Sequence, residues 1–125
     1  LEDEIVAKTI TVYEKPTCTT CRKLAKLFQE KGIGYDRVNY FIDPLTEEKL
    51  TGLLKKAGIV PYDVLRRNEP VFKELGIKPD TAPDEIIRLI VANPSILQRP
   101  IVEVGNKAVL ARPIDKAIEL IESAK

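Results

Sequence analysis

Thr9-Ile10-Thr11-Val12-Tyr13, then Pro16-Thr17-Cys18-Thr19-Thr20-Cys21 and the segment from Arg22 to Gly32, decide the fold of this 125-residue chain. The opening run is rich in β-branched residues and reads as a buried first strand, which Pro16 ends. A helix follows, with Leu24, Ala25, Leu27 and Phe28 on one stripe, Lys and Gln opposite, and Gly32 as a C-terminal stop. Both cysteines of the chain therefore fall at a strand-to-helix junction. A thiol there meets unpaired backbone N–H groups and the positive end of the helix dipole, and both favour the reactive thiolate. Two residues three apart share a helical face, with β-carbons about 5–6 Å apart. Modest adjustment brings such a pair to disulfide distance.

Outward from this stretch, Tyr35 to Phe41 reads as a second strand in β-α-β order, which favours a parallel connection. Thr46 is placed to cap a helix with Glu47 and Glu48 in its first turn and Leu50, Leu53, Leu54 and Ala57 on one face, stopping near Gly58. Pro61 opens a short helix through Leu65, and Val71, Phe72 and Leu75 suggest another turn or two before Gly76. Pro83 leads a helix carrying Ile86, Ile87, Leu89, Ile90 and Val91, which Asn93-Pro94 ends. Ile101 to Val104 and Ala108 to Ala111 flank Gly105-Asn106-Lys107 as a hairpin. Pro113 then starts a last helix with Ile114, Ala117, Ile118 and Ile121 inward. With no repeat and no dividing linker, residues 1–125 read as one α/β domain.

Composition narrows the function classes. The 20 basic and 19 acidic residues leave a formal charge of +1, so no long-range field draws the chain to nucleic acid or anionic lipid. The absence of histidine removes every imidazole mechanism and every histidine metal ligand. No apolar run reaches membrane-spanning length, and the acidic Leu1-Glu2-Asp3-Glu4 carries no signal-peptide core; because the chain begins without methionine, those residues read as a trimmed end. The chain reads as a cytoplasmic monomer, since balanced charge and missing heptads give no reason to expect a dimer.

Cys-x-x-Cys has three readings. A zinc site needs two more sulfur or nitrogen ligands, which this chain could obtain only from a second subunit. A pair of buried structural thiols is the second reading. The strand-to-helix context favours the third, redox chemistry, and Lys15, Arg22 and Lys23 add positive charge while Glu14 opposes it. Cys18, at the helix entrance, is then the nucleophile and Cys21, one turn in, the resolving thiol. Thr17, Thr19 and Thr20 offer hydroxyls and N–H groups to an anion, with helix capping as the plainer role, above all for Thr17. Arg66, Arg99 and Arg112 each end an element after apolar sequence. Singly each reads as a surface residue; jointly they could neutralise a dianion through paired hydrogen bonds.

Six ordered motifs carry a resemblance: Pro16-Thr17-Cys18-Thr19-Thr20-Cys21-Arg22, Leu65-Arg66-Arg67-Asn68, Glu74-Leu75-Gly76, Asn93-Pro94, Arg99-Pro100-Ile101-Val102 and Arg112-Pro113. From about Thr9 to Ile121 the chain resembles the glutaredoxin-coupled arsenate reductase family, a thioredoxin-fold group that also includes Spx-type transcription regulators. The resemblance implies a four-stranded mixed sheet with flanking helices and a helical insertion. It also implies a nucleophilic Cys18, an arsenate pocket completed by Arg66, Arg99 and Arg112, and a cis Arg99-Pro100 bond. Thr17, Thr19, Thr20 and Arg22 would flank the substrate. No bound cofactor or metal is implied; glutathione with glutaredoxin, or thioredoxin, would supply electrons.

Family arsenate reductases usually carry serine at the position of Cys21, glycine at Thr19 and His-Asn at Glu14-Lys15. With Glu14 in place of that histidine, a carboxylate would oppose the Cys18 thiolate where imidazolium would favour it. The second cysteine resembles Spx-type regulators, which bind RNA polymerase and typically lack an arginine at the position of Arg112. Arsenate reduction is the leading expectation. A redox-sensing regulator and a general thiol–disulfide reductase are the alternatives.

Overall fold

The computed structural model describes residues 9–124; the acidic opening lies outside them. Strand β1 (Ile10–Glu14) leads through a turn into helix α1 (Thr19–Glu30), and β2 (Asp36–Asn39) follows. Helices α2 (Glu47–Ala57), α3 (Pro70–Leu75) and α4 (Pro83–Ala92) come next, with 3-10 turns at Pro61–Val64 and Pro94–Ile96. The chain returns to the sheet through β3 (Ile101–Val104) and β4 (Lys107–Leu110) and finishes in α5 (Asp115–Ser123). The strands lie in the order β2-β1-β3-β4, with β1 and β2 parallel and the other neighbours antiparallel. This is the four-stranded mixed sheet with flanking helices and a helical insertion that the sequence led us to expect.

The period of two along the strands divides the interior into two cores. Tyr13 and Ile101 point to one face, where Leu50, Leu53, Ile86 and Ile90 of α2 and α4 cover them. Val12, Val102 and Val104 point to the other, against Leu24 and Phe28 of α1 and Ala117 and Ile121 of α5. Each such fully buried aliphatic or aromatic side chain contributes roughly 1.5–3 kcal/mol relative to exposure.

Local signals place the insertion. The Thr46 hydroxyl accepts from the Lys49 N–H at 3.0 Å, capping α2, and Gly58 ends it at φ 68°, where a β-carbon would be strained. The later elements depart in detail from the sequence reading. β2 is shorter than Tyr35 to Phe41, because the Asn39 side chain accepts from the Phe41 N–H at 3.0 Å and its carbonyl takes the Ile42 and Asp43 N–H groups. That turn pulls Tyr40 and Phe41 out of the ladder. The hairpin turn is two residues, with Gly105 at φ 61° and Lys107 already paired to Val104. The last helix starts at Asp115 rather than Pro113, which follows a cis bond.

One charge lies beneath α2. Glu103 of β3 is buried, accepts from the Tyr13 hydroxyl at 2.7 Å and from Lys49 at 3.3 Å, and pairs with Lys56. Lys49 and Lys56, two turns apart, reach down from one face of α2 and fix its roll on the sheet. Burial works against the charged carboxylate, but Lys56, Tyr13 and Lys49 together hold its pKa below the ordinary range. Its contribution is therefore present above the usual carboxylate pKa and lost as pH falls through the lowered value. Glu103→Gln is expected to lower stability by about 1–3 kcal/mol at pH 7. Urea denaturation should show that deficit narrowing once the pH falls below about 4.

Candidate active site

Cys18 is the N-cap of α1. Its N–H is tied to the Lys15 carbonyl at 2.8 Å and its carbonyl accepts from the Arg22 N–H at 3.0 Å, which closes the turn between β1 and the helix. No acidic residue lies in the first turn, and no hydroxyl or carboxylate caps it. The capping role considered for Thr17 is thus not realised; Thr17 is exposed and Cys18 holds the position. The sulfur stands where a serine or aspartate oxygen would ordinarily accept the free N–H groups.

Burial by itself would push the Cys18 pKa up. The Cys21 N–H, the Cys21 thiol, the Thr20 N–H and the Arg99 guanidinium outweigh it and bring the pKa down to about 7. Cys21, 1% exposed, moves the other way, to about 12. Burial is the main cause; the Lys15 N–H works against it, and the Cys18 sulfur and the Glu14 carboxylate add to it. The two thiols are thereby unlike: an outer sulfur that ionises near neutral pH and an inner one that stays protonated there. No disulfide joins them.

Glu14 corrects one expectation. It is 2% exposed at the end of β1 and accepts from Arg37 Nε at 2.8 Å across the parallel strand pair. Its charge is compensated there, and its field bears on Cys21 rather than opposing the Cys18 thiolate. The Lys15 ammonium lies over the Phe41 ring, 4.9 Å from the centroid. Arg22 and Lys23 extend into solvent.

The three arginines are gathered by short pairings beyond the sheet. Leu65 and Leu97 form an antiparallel bridge, with Arg66 N–H donating to the Ile96 carbonyl at 2.7 Å and Gln98 N–H to the Val64 carbonyl at 2.9 Å. Ala111 N–H donates to the Pro100 carbonyl at 2.9 Å, which brings Arg112 alongside, and Arg112 Nη1 donates to the Arg99 carbonyl at 2.7 Å. The peptide bonds Arg99-Pro100 and Arg112-Pro113 are both cis. Arg66, Arg112, Arg67, Asn68, Gln98 and Leu65 line a pocket of about 340 Å³. Arg66 Nε lies 3.5 Å from a Glu69 carboxylate oxygen and makes no hydrogen bond. Arg99 is 6% exposed and, among the described residues, has no carboxylate within 4 Å.

Cys18, Cys21 and Arg99 thus form one group, whereas Arg66 and Arg112 line a pocket whose wall includes neither cysteine nor Arg99, and Arg112 meets Arg99 at its backbone carbonyl. Thr20 is half-buried beside the sulfur, whereas Thr17, Thr19 and Arg22 have exposed side chains. Gln98, Arg67 and Asn68 were not among the site residues expected from sequence, although Gln98 adjoins Arg99, and Arg67 and Asn68 follow Arg66 in one of the six motifs. No cluster of three His, Cys, Asp or Glu among the described residues is placed to hold a metal ion, and no helix is long and apolar enough to cross a membrane.

This geometry has relatives. The arsenate reductase of Neisseria meningitidis serogroup A is 31% identical over 108 residues, covering 85% of this chain and 92% of that protein. Global transcriptional regulator Spx 1 of Bacillus cereus is 33% identical over 93 residues, 74% of this chain and 71% of that one. The solved arsenate reductase of Vibrio cholerae superposes with a TM-score of 0.85 at 24% identity, over 90% of this chain and 98% of its own, and shares the fold. A sequence model described as the ArsC family matches residues 13–120, from the end of β1 to α5, and so takes in both cysteines and all three arginines; this chain belongs to that family.

Proposed function

We propose that the chain reduces arsenate to arsenite through a Cys18 thiolate. The observation that carries this reading is a buried guanidinium, Arg99, with no carboxylate partner among the described residues, beside a thiol at an uncapped helix N-terminus. That arrangement suits an incoming oxyanion better than a resident acid. Arsenate docks on Arg66, Arg99 and Arg112 and on the N–H groups of the first turn, with Thr17, Thr19, Thr20 and Arg22 at the rim. The Cys18 sulfur attacks arsenic(V) and an arsenate oxygen leaves as water, forming a sulfur–arsenic bond.

A second thiol then attacks the Cys18 sulfur. A disulfide forms, the sulfur–arsenic bond breaks with its electron pair on arsenic, and arsenite departs. In this reading Cys21 is that thiol, and glutathione is the alternative. Glutaredoxin or thioredoxin returns the disulfide to thiols, in the cytoplasm where such donors are maintained. The Cys18-Cys21 pair and the Spx relative favour a second reading, a redox sensor that binds RNA polymerase. A general thiol–disulfide reductase shares the same Cys18 chemistry but would not turn over arsenate.

Iodoacetamide alkylation of Cys18 is expected to rise with pH to half its maximum near pH 7, with Cys21 unmodified over that range; a midpoint near 8.5, as in a free cysteine, would remove the basis of the mechanism. In arsenate-dependent thiol oxidation, Cys18→Ser should abolish turnover, and Arg99→Gln should slow it by roughly 10²–10³. Wild-type protein that fails to oxidise any supplied thiol in response to arsenate would point to the sensor or to the general reductase. Cys21→Ser reports which thiol resolves: loss of thioredoxin-supported turnover with glutathione-supported turnover retained assigns that step to Cys21.

A further inference from the structure

Arg99 is the one buried cation among the described residues. The buried carboxylates are matched, Glu14 by Arg37 and Glu103 by Lys49 and Lys56, whereas Arg99 faces no acid among the described residues. Its conventional bonds are weak: Nη1 lies 3.4 Å from each of the Ser95 and Leu97 carbonyls, and Nε has no hydrogen-bond partner. Something else must fix a long, flexible side chain at the sulfur.

The residues just past β2 supply it. The Phe41 ring centroid is 5.8 Å from the Arg99 guanidinium carbon, inside cation–π range. Phe41 is itself fixed, by the Asn39 side chain on its N–H at 3.0 Å and by the Tyr40 ring at 5.0 Å. The Tyr40 hydroxyl donates to the Leu97 carbonyl at 3.2 Å, the same oxygen Arg99 approaches, and turns its own oxygen toward the guanidinium. An aromatic face orients a guanidinium without neutralising it, as a carboxylate would. We propose that Phe41, supported by Tyr40, is the positioning residue that holds the Arg99 guanidinium on Cys18 while leaving its charge free for an anion. This rests on the reading that Arg99 serves the thiolate and the oxyanion.

The test uses the full chain and follows Cys18 alkylation against pH, together with protection of Cys18 by inorganic phosphate, an unreactive tetrahedral anion. The titratable or charged groups around Cys18 are Cys21 and Arg99, with Lys15 over the Phe41 ring and the Glu14–Arg37 pair behind Cys21. Phe41→Leu and Phe41→Met are expected to raise the alkylation midpoint by about half a pH unit and weaken phosphate protection by roughly 3-fold, with Phe41→Tyr staying near wild type. Thermal melts show which variants are folded, and the second aliphatic substitution covers failure of the first. In an Arg99→Gln background, Phe41→Leu should add no further shift.

An unchanged midpoint in both folded aliphatic variants overturns the assignment. So does a shift that persists without Arg99, because Lys15 or general packing would then be responsible. Phosphate protection absent from every protein, with the midpoint shift intact, would remove the arsenate reading and leave the role of Phe41 standing.

Discussion

Putting a guanidinium out of water without an acid beside it is unfavourable, and among the described residues that is how Arg99 stands, next to the sulfur at the start of α1. The surrounding structure answers to this pairing. A cation in a site of low dielectric acts on nearby charge far more strongly than a solvated one, so it draws Cys18 toward the thiolate. The free N–H groups of α1 act in the same direction. A serine, threonine or aspartate oxygen at the N-cap would have satisfied those groups for good. Sulfur does so only once it has lost its proton.

The negative charges of the interior are settled away from this point. Arg37 reaches Glu14 across β1 and β2, and two lysines reach Glu103 from above the sheet. What Glu14 still exerts falls on the inner thiol, which also lies deep in an apolar setting. The outer thiol thus ionises far more readily than the inner one, and that difference arises from burial and the position of two charges, without an imidazole.

Much of this was legible in the sequence, because much of it is local. The cap at Thr46, the stop at Gly58, the strand that Pro16 follows and the helical face of Leu24 and Phe28 are each encoded within a few residues. The clustering of Arg66, Arg99 and Arg112 came from motif order and resemblance; the bridge that joins residues 65 and 97 has no local signature. Glu14 was misjudged because its partner lies 23 residues away on a neighbouring strand. Tyr40 and Phe41 were read as the end of a strand because aromatic residues there resemble core. Only the Asn39 side chain, by taking the Phe41 N–H, redirects them toward Arg99.

The Leu65–Leu97 bridge divides labour along the chain. The sheet together with α1 and α5 carries the sulfur, but Arg66 arrives on the far side of the clasp, and Gln98 and Arg99 follow directly from it. The residues between those two leucines form one excursion from the sheet, and the bridge that closes it sets where Arg66 and Gln98 stand. Because Arg99 follows that bridge directly and also acts on the Cys18 sulfur, a change in the excursion reaches the pocket wall and the thiol through the same two residues of backbone.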